Sequence, residues 1–508
     1  MNDEVELCVV GAGPAGTALA TRLARLGHHV AVVERHRFPR PHVGESLSPA
    51  IWPLLESLGV RERVAARGFT QTVQARVRWR GDEEERIRVE GGLTVDRGAF
   101  DAILLENARD AGADVLSPAT ARRPVRCGEG GDQRWEVPLV GRLLPARFLA
   151  DATGRRHLLG GHRTPSAPRT LALHALWCGG PPSDGSQTRI DALAEGWLWG
   201  AHLPGGGLRA MAFVDPETLM AEGRDRERLY RRLLAASPLF AELVSSAQVA
   251  GRVQVCDATS YATTTPIDTT SVKVGEAAFA IDPLSSSGVQ TAIQTGLAAA
   301  AALHTMLAPD GDTHAALTYY IDHQRYSVGR HAATASGLYA EHLPHADAVF
   351  WRRRSAGVPP PVPPPVPPSS PRGVALADLL PLRVRLPSTA ALVDRPCLLG
   401  DRIELRRALT HPAVDRPVAF LGGIELAPLL DDLHAAPSLA AAISSWDRSL
   451  PSLHGPKIAA WLHQRGLLEI VGSTVVAHRS AIFSAATDGV IRSTSSCGYP
   501  MTSLGRKP

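Results

Sequence analysis

"ELCVVGAGPAGTALATRLARLGHHVAVVER", residues Glu6–Arg35, decides the fold. An apolar run ends in a glycine turn, an Ala/Leu-rich helix follows, and a second apolar run ends on an acid: one βαβ unit. Gly11, Gly13 and Gly16 fit G-x-G-x-x-G. The first permits the tight turn, the second lets a pyrophosphate reach the backbone, and the third lets helix and strand pack closely. Pro14 and Ala15 open the helix, whose N-terminal N–H groups and partial positive charge suit phosphates. Glu34 stands 23 residues after Gly11, with Arg35 beside it. There a carboxylate can accept from an adenosine ribose and would repel a 2′-phosphate. The stretch reads as a dinucleotide site.

Outward from this unit, the 508 residues are too many for one ordinary domain. The net charge of +4 is mild and dispersed, which suits neither a nucleic-acid nor an acidic-membrane partner. Six scattered cysteines (Cys8, Cys127, Cys178, Cys256, Cys397 and Cys497) form no C-x-x-C pair, so reduced thiols and no metal site are expected. The acidic opening "MNDEVELCVV" is unlike a signal segment, and no run of about 18 apolar residues appears. A cytoplasmic protein is the expectation.

Strand-like runs such as "QARVRWR" and "LRAMAFV" alternate with helices as far as about residue 270. The expected class is α/β: a Rossmann-like cofactor domain with an inserted β-rich substrate domain. We place the cofactor domain at 1–75, 92–165 and 266–330 and the substrate domain at 76–91 and 166–265, with a helical extension over 331–357. "VPPPVPPPVPPSSP" favours polyproline II and marks a linker, 358–372. Residues 373–475 carry three amphipathic helices before "GLLEIV", suggesting a winged-helix-like module, and the Ser/Thr-rich tail 476–508 is expected to be disordered.

Four further segments resemble flavin-dependent halogenases and related FAD monooxygenases of the p-hydroxybenzoate hydroxylase superfamily. They are "FPRPHVGESLSP", "VDRGAFDAILLENARDAGADV", "ADATGRRHLL" and "VGEAAFAIDPLSSSGVQTAI". The resemblance implies FAD, contacted by Gly44, Glu45 and Ser46 in the first segment, Arg97 in the second, and Asp151 and Gly154 in the third. In the fourth it implies Gly275, Glu276 (where Asp is usual), Asp282, Pro283, Gly288 and Val289. Asp282 can accept from ribityl hydroxyls, and Gly288 and Val289 can offer N–H groups to the flavin edge. Glu45 and Ser285 are the candidates for catalysis, although Glu45 can equally cap a helix. Trp197 and Trp199 alternate on a strand, either shielding the flavin and touching substrate or filling a core.

Both chemistries of the superfamily begin with reduced flavin and dioxygen giving a flavin hydroperoxide. A halogenase then needs a lysine near the substrate, a role arginine cannot take. This chain has three lysines, Lys273, Lys457 and Lys507, none on the strand after "GESL". Tryptophan halogenases also carry a Glu where Ser285 stands and an aromatic gate where Ala280 stands. "DPLSSSGVQ" instead resembles the monooxygenases that hydroxylate a tryptophan within a partner peptide during quinone cofactor biogenesis. The C-terminal module then resembles peptide-recognition elements, which add a leader strand to a sheet edge; simple packing or dimerisation is its rival. The reading is thus a monooxygenase acting on an aromatic or peptide substrate. No second nucleotide domain is visible, so electrons come from a separate flavin reductase or from NAD(P)H. The alternatives are a halogenase with a relocated lysine, a geranylgeranyl-reductase-like saturase, or a non-catalytic flavin-binding assembly factor.

Overall fold

The computed structural model describes residues 4–128, 133–179, 186–355, 375–450 and 454–471. The linker 358–372 and the tail 476–508 therefore lie outside the described residues. The chain divides into two compact units, Met1–Pro361 with Leu398–Glu404, and Val362–Cys397 with Leu405–Pro508.

The first unit is built on two large sheets, with a small third one of Arg163–Pro165, Tyr261–Thr263 and Phe279–Ala280. Val5–Val10 and Val30–Val33 are almost wholly buried, as expected of parallel strands covered on both faces. They pair in parallel, and Val5–Val10 also pairs in parallel with Arg142–Asp151. The sheet order is Asp114–Leu116, Val30–Val33, Val5–Val10, Arg142–Asp151, Arg134–Leu139, Val125–Cys127. Ser271–Lys273 joins the end of Arg142–Asp151, with Lys273 opposite Asp151.

The helix Pro14–Arg25 starts with proline at its first turn, where a missing N–H costs nothing. It packs on the helix Gly288–Leu307 at backbone distance: a Cβ on Gly296 would lie 2.3 Å from the Ala15 carbonyl oxygen. A third long helix, Thr313–Ala340, is capped by the Asp312 carboxylate, which accepts from Ala315 N–H at 2.9 Å.

The second sheet has eight strands, in the order Gln248–Asp257, Leu171–Cys178, Leu208–Val214, Gly196–His202, Gln187–Leu193, Thr70–Arg78, Glu85–Thr94, Ser46–Leu47. Thr70–Arg78 belongs to it over its whole length, because every residue that pairs does so within this sheet. Alternation gives the sheet two apolar faces. Leu208, Ala210, Ala212 and Val214 pack with Leu229, Tyr230 and Leu233 of the helix Arg226–Ala235. Met211 and Phe213 face the other way, with Ala172, Trp197 and Trp199, toward Val43 and Leu284. That second face meets the segments expected to hold the flavin.

The hairpin Ala391–Leu399/Arg402–Thr410, whose stretch Leu398–Glu404 groups with the first unit, and the short pair Phe420–Leu421/Ile424–Glu425 of the second unit precede three helices, Leu426–Ala435, Leu439–Ser449 and His454–Gln464. Glu469–Ile470 returns to pair antiparallel with Val384–Arg385. Leu430, Leu433, Leu439, Trp446, Ile458 and Leu462 form its core, and the Trp446 indole N–H donates to the Leu429 carbonyl at 3.1 Å. The three helices fall where the amphipathic runs end.

Among the described residues, no helix is long and apolar enough to cross a membrane.

Candidate functional site

The glycine turn is shaped by contact as well as by conformation. Gly11 has φ of +109°, and a Cβ there would sit 2.4 Å from the Ala152 carbonyl oxygen. The helix behind it starts at Gly13 with no side chain capping its N–H groups, which leaves them for a phosphate. Glu34 is buried at the end of the second strand. Its Oε2 accepts from Ala12 N–H and its Oε1 from His36 N–H, both at 2.9 Å. A carboxylate has about four acceptor positions, so these two bonds fix the side chain and leave room for ribose hydroxyls. Arg35 is exposed.

Arg97 does not cap its helix; Asp96 does, accepting from Ala99 N–H at 2.7 Å. The guanidinium is buried, and each of its three nitrogens donates. Its Nε and Nη2 donate to Asp101 at 3.0 Å each, and its Nη1 donates to the Val43 carbonyl at 2.8 Å. Arg97 thereby pins the loop that carries Gly44, Glu45 and Ser46. Gly44 needs its φ of +98° here, and a Cβ would crowd Arg97 Nη1 at 2.9 Å. Glu45 is 2% exposed. One of its oxygens accepts from Gly44 N–H at 2.9 Å and the other from Arg209 Nε at 3.0 Å. Arg209 stands on the central strand Leu208–Val214, so this pair ties the loop to the second sheet.

The third segment keeps its polar groups at home. Asp151 Oδ1 accepts from Thr153 N–H and the Thr153 hydroxyl, and Oδ2 accepts from Leu159 N–H. Glu276, half-exposed, lies 3.3 Å from Arg155, and a Cβ on Gly154 would come within 3.9 Å of it. Asp151, Gly154 and Glu276 are thus neighbours around one turn.

The fourth segment leads into the helix Gly288–Leu307, whose N-terminus carries no side-chain cap. Its first N–H groups are available to the electron-rich edge of a flavin. Just before it, Asp282 is buried; Oδ1 accepts from Leu284 N–H at 2.9 Å, and the Tyr339 hydroxyl donates to the same carboxylate at 3.1–3.2 Å. Burial raises the Asp282 pKa, and those two hydrogen bonds oppose the rise. Tyr339 in turn accepts from Trp197 Nε1 at 3.2 Å. Trp197 stacks on Phe213 at 4.0 Å between centroids and meets Trp79 edge-on at 6.2 Å. Trp197 is therefore a buried wall tied to the flavin segment; Trp199 shares its face, opposite Met211. The Ser285 hydroxyl donates to the Asp282 carbonyl at 3.2 Å, which closes the turn.

Two family models match the sequence: an FAD binding domain over residues 4–123 and tryptophan halogenase over 84–363, more than half of the chain. The chain belongs to the tryptophan halogenase family.

Its cofactor is FAD, and the glycine cradle, Glu34 and the two uncapped helix starts fit that molecule. Among its relatives in the family, a tryptophan 2-halogenase of Chondromyces crocatus is 32% identical over 335 residues, covering 62% of this chain and 64% of the relative. The flavin-dependent halogenase rdc2 of Metacordyceps chlamydosporia is 25% identical over 352 residues, covering 60% and 65%. The chain thus spans less than two thirds of the length of either. Among solved structures, the peptidyl tryptophan dihydroxylase QhpG, essential for tryptophylquinone cofactor biogenesis, superposes with a TM-score of 0.69 at 25% identity. It is covered along 100% of its chain and covers 91% of this one. The flavin-dependent halogenase CmlS reaches a TM-score of 0.72 at 22% identity, covering 92% of this chain and 96% of its own; that likeness concerns the fold.

Against this family, Lys273 is the one lysine among the described residues of the first unit. Its Nζ donates to Thr263 Oγ1 at 3.3 Å and to the Thr265 carbonyl at 3.1 Å. Gly161 closes on it, since a Cβ there would lie 3.1 Å from Nζ. Burial lowers its pKa. None of these partners belongs to the Trp197–Met211 face. Arg209 and Tyr339 are the residues that sequence reasoning missed. Arg209 had a faint signal, a lone charge in the apolar strand "LRAMAFV"; Tyr339 had none.

Proposed function

We propose that the protein is an FAD-dependent monooxygenase that hydroxylates an aromatic substrate, and that this substrate is a tryptophan within a partner polypeptide. The observation that carries the reading is the sheet face beside the flavin segments. Arg209, His174, Trp197, Trp199 and Met211 supply its named groups, and no described lysine stands on it. A halide route needs a desolvated amine there, and a guanidinium cannot replace it. Ser285 and Ala280, in place of a glutamate and an aromatic gate, support the same choice.

Bound FAD, once reduced by a partner reductase and met by dioxygen, supplies electrophilic oxygen. The chain's own residues do the remainder. Arg97, oriented by Asp101, and the Glu45–Arg209 pair hold the loop that carries Gly44, Glu45 and Ser46, residues that would contact the cofactor. Trp197 and Phe213 exclude water, which strengthens every polar contact inside. The second unit would then recruit the polypeptide. Among the described residues, the strand Ala391–Leu399 pairs with a single neighbour, Arg402–Thr410, and such a strand edge suits addition of an extended peptide.

The test supplies reduced FAD, dioxygen, bromide and tryptophan-bearing peptides together and reads product mass. A gain of one or two oxygen atoms supports the reading; a bromine isotope pattern overturns it in favour of halogenation, which the named relatives make the second reading. Peptide binding without turnover would indicate an escort.

A further inference from the structure

A cavity of about 50 Å³ abuts Ala280–Asp282, part of the fourth segment proposed to hold the flavin. Another of its walls is one face of the helix Thr313–Ala340, where Val328, Ala332, Ala335 and Tyr339 recur at spacings of three or four residues. That spacing puts them on a single side. Val328, Ala332 and the stretch Ser166–Pro168, which completes the lining, are half-buried, whereas Ala280, Ala335 and Tyr339 are buried. The cavity thus leads from the surface inward to the flavin segment.

The room suffices for a few waters or one small gas molecule, and an enclosed water needs several polar partners. The polar residues of the lining are committed elsewhere. Asp282 accepts from Tyr339 and from Leu284 N–H, and Tyr339 also accepts from Trp197. Arg354 donates to the Phe350 carbonyl at 3.0 Å, to Thr170 Oγ1 at 2.8 Å and to Asp215 at 2.7 Å. Its Nε and Ser260 Oγ lack partners among the described residues yet are sealed, so neither opens a polar atom to the cavity. His331 places Nε2 3.3 Å from Thr291 Oγ1, and burial keeps the ring neutral, its pKa lowered to about 4. The polar groups left over, on Ser166 and His331, belong to half-buried residues. The rest of the lining is carbon, chiefly Ala280, Ile281, Ala332 and Ala335 with Val328 and Pro168. Such walls favour a guest with no hydrogen bonds to lose.

We propose that this cavity is the entry pocket for dioxygen, holding the gas against the segment that carries Asp282. Dioxygen is apolar and small, and moving it from water to the alanine-lined interior raises its concentration where it is consumed. Hydroxylation and halogenation both begin with dioxygen, so the pocket goes beyond the tryptophyl reading and does not depend on it.

The experiment uses FAD-loaded full-length protein and makes two measurements. The first titrates xenon, an apolar gas, and follows its own NMR signal. Wild type should show saturable xenon binding. Ala332→Leu, which fills the cavity with carbon, should abolish it, and Val328→Ala, which widens the cavity, should strengthen it. The second is the second-order rate at which dioxygen reoxidises bound reduced FAD without substrate, taking two electrons and two protons from it as hydrogen peroxide. Ala332→Leu should slow that step by about tenfold with FAD affinity unchanged in a fluorescence titration, and Val328→Ala should not slow it. No saturable xenon binding in wild type, binding that persists in Ala332→Leu, or a wild-type reoxidation rate in Ala332→Leu overturns the proposal. So does a slowing that comes only with weakened FAD. Should Ala332→Leu not fold, wild type and Val328→Ala decide, and xenon bound no more tightly by Val328→Ala than by wild type overturns it. Neither measurement reads product mass, so the monooxygenase reading stands or falls separately.

Discussion

Gly296 offers a test of how the cofactor site is held. The helices Pro14–Arg25 and Gly288–Leu307 both start without a side-chain cap, in the two segments proposed to hold the FAD, and Gly296 is where they touch. A methyl group added there would lie 2.3 Å from the Ala15 carbonyl oxygen and 3.1 Å from Leu19 N. Both are backbone atoms, so no rotamer change relieves the overlap. Restoring van der Waals separation requires the helices to part by about 1 Å. Overpacking of this kind costs about 1–3 kcal/mol, and the gap it opens reaches both N-termini at once. Gly296→Ala should therefore lower the unfolding midpoint by a few degrees and weaken FAD by about tenfold, the worth of one charge-assisted hydrogen bond. Differential scanning fluorimetry and flavin fluorescence titration give the two numbers. Gly329→Ala is the control: Gly329 is an exposed residue of the helix Thr313–Ala340 with nothing within 4 Å of the added Cβ. There alanine should stabilise by up to about 1 kcal/mol. A Gly296→Ala protein with wild-type midpoint and wild-type FAD affinity would refute the claim that helix contact sets the site.

Three further outcomes are expected. Arg209→Met strands the buried Glu45 carboxylate and should destabilise by about 3–5 kcal/mol in chemical denaturation, whereas the Glu45→Gln/Arg209→Met double variant recovers most of the loss. His157, His174 and His331 each have a pKa lowered to about 4, chiefly by burial. Unfolding then takes up protons between about pH 6.5 and 4, so their stabilising effect is complete above 6.5 and fades as pH falls toward 4. Denaturation midpoints at pH 7 and 5 should differ accordingly, and His331→Asn should flatten the difference. Lys273→Met leaves the Trp197–Met211 face untouched and should keep oxygen incorporation, read by product mass, even if the midpoint falls; loss of turnover in a protein that still folds and binds FAD would make Lys273 a reacting amine.

The parts of the site legible in the sequence are those made by neighbours along the chain. The glycine turn, its helix and Glu34 fall within thirty residues, and each residue type answers a local backbone demand. The same holds for the three C-terminal helices, where a 3.6-residue apolar period is the whole signal. Legibility stopped where the sheet register takes over. Glu45 meets Arg209, 164 residues away, and Trp197 meets Tyr339, 142 residues away. Such pairs depend on which strands lie side by side, and that order, running from Gln248–Asp257 to Ser46–Leu47, does not follow the chain. The resemblance implied Arg97 as a cofactor contact; that its guanidinium also holds the loop depends on the Val43 carbonyl, 54 residues away.

The placement of the lysines has a practical consequence. With the Lys273 ammonium enclosed, the described part of the first unit offers amine-reactive reagents no accessible lysine, whereas Lys457 stands exposed on the helix His454–Gln464 of the second unit. A fluorophore placed on lysine by an active ester therefore reports through Lys457 from the unit proposed to receive the polypeptide, and labels no lysine in the described part of the first unit. Docking and oxygen chemistry can then be followed in one cuvette on two separate optical channels.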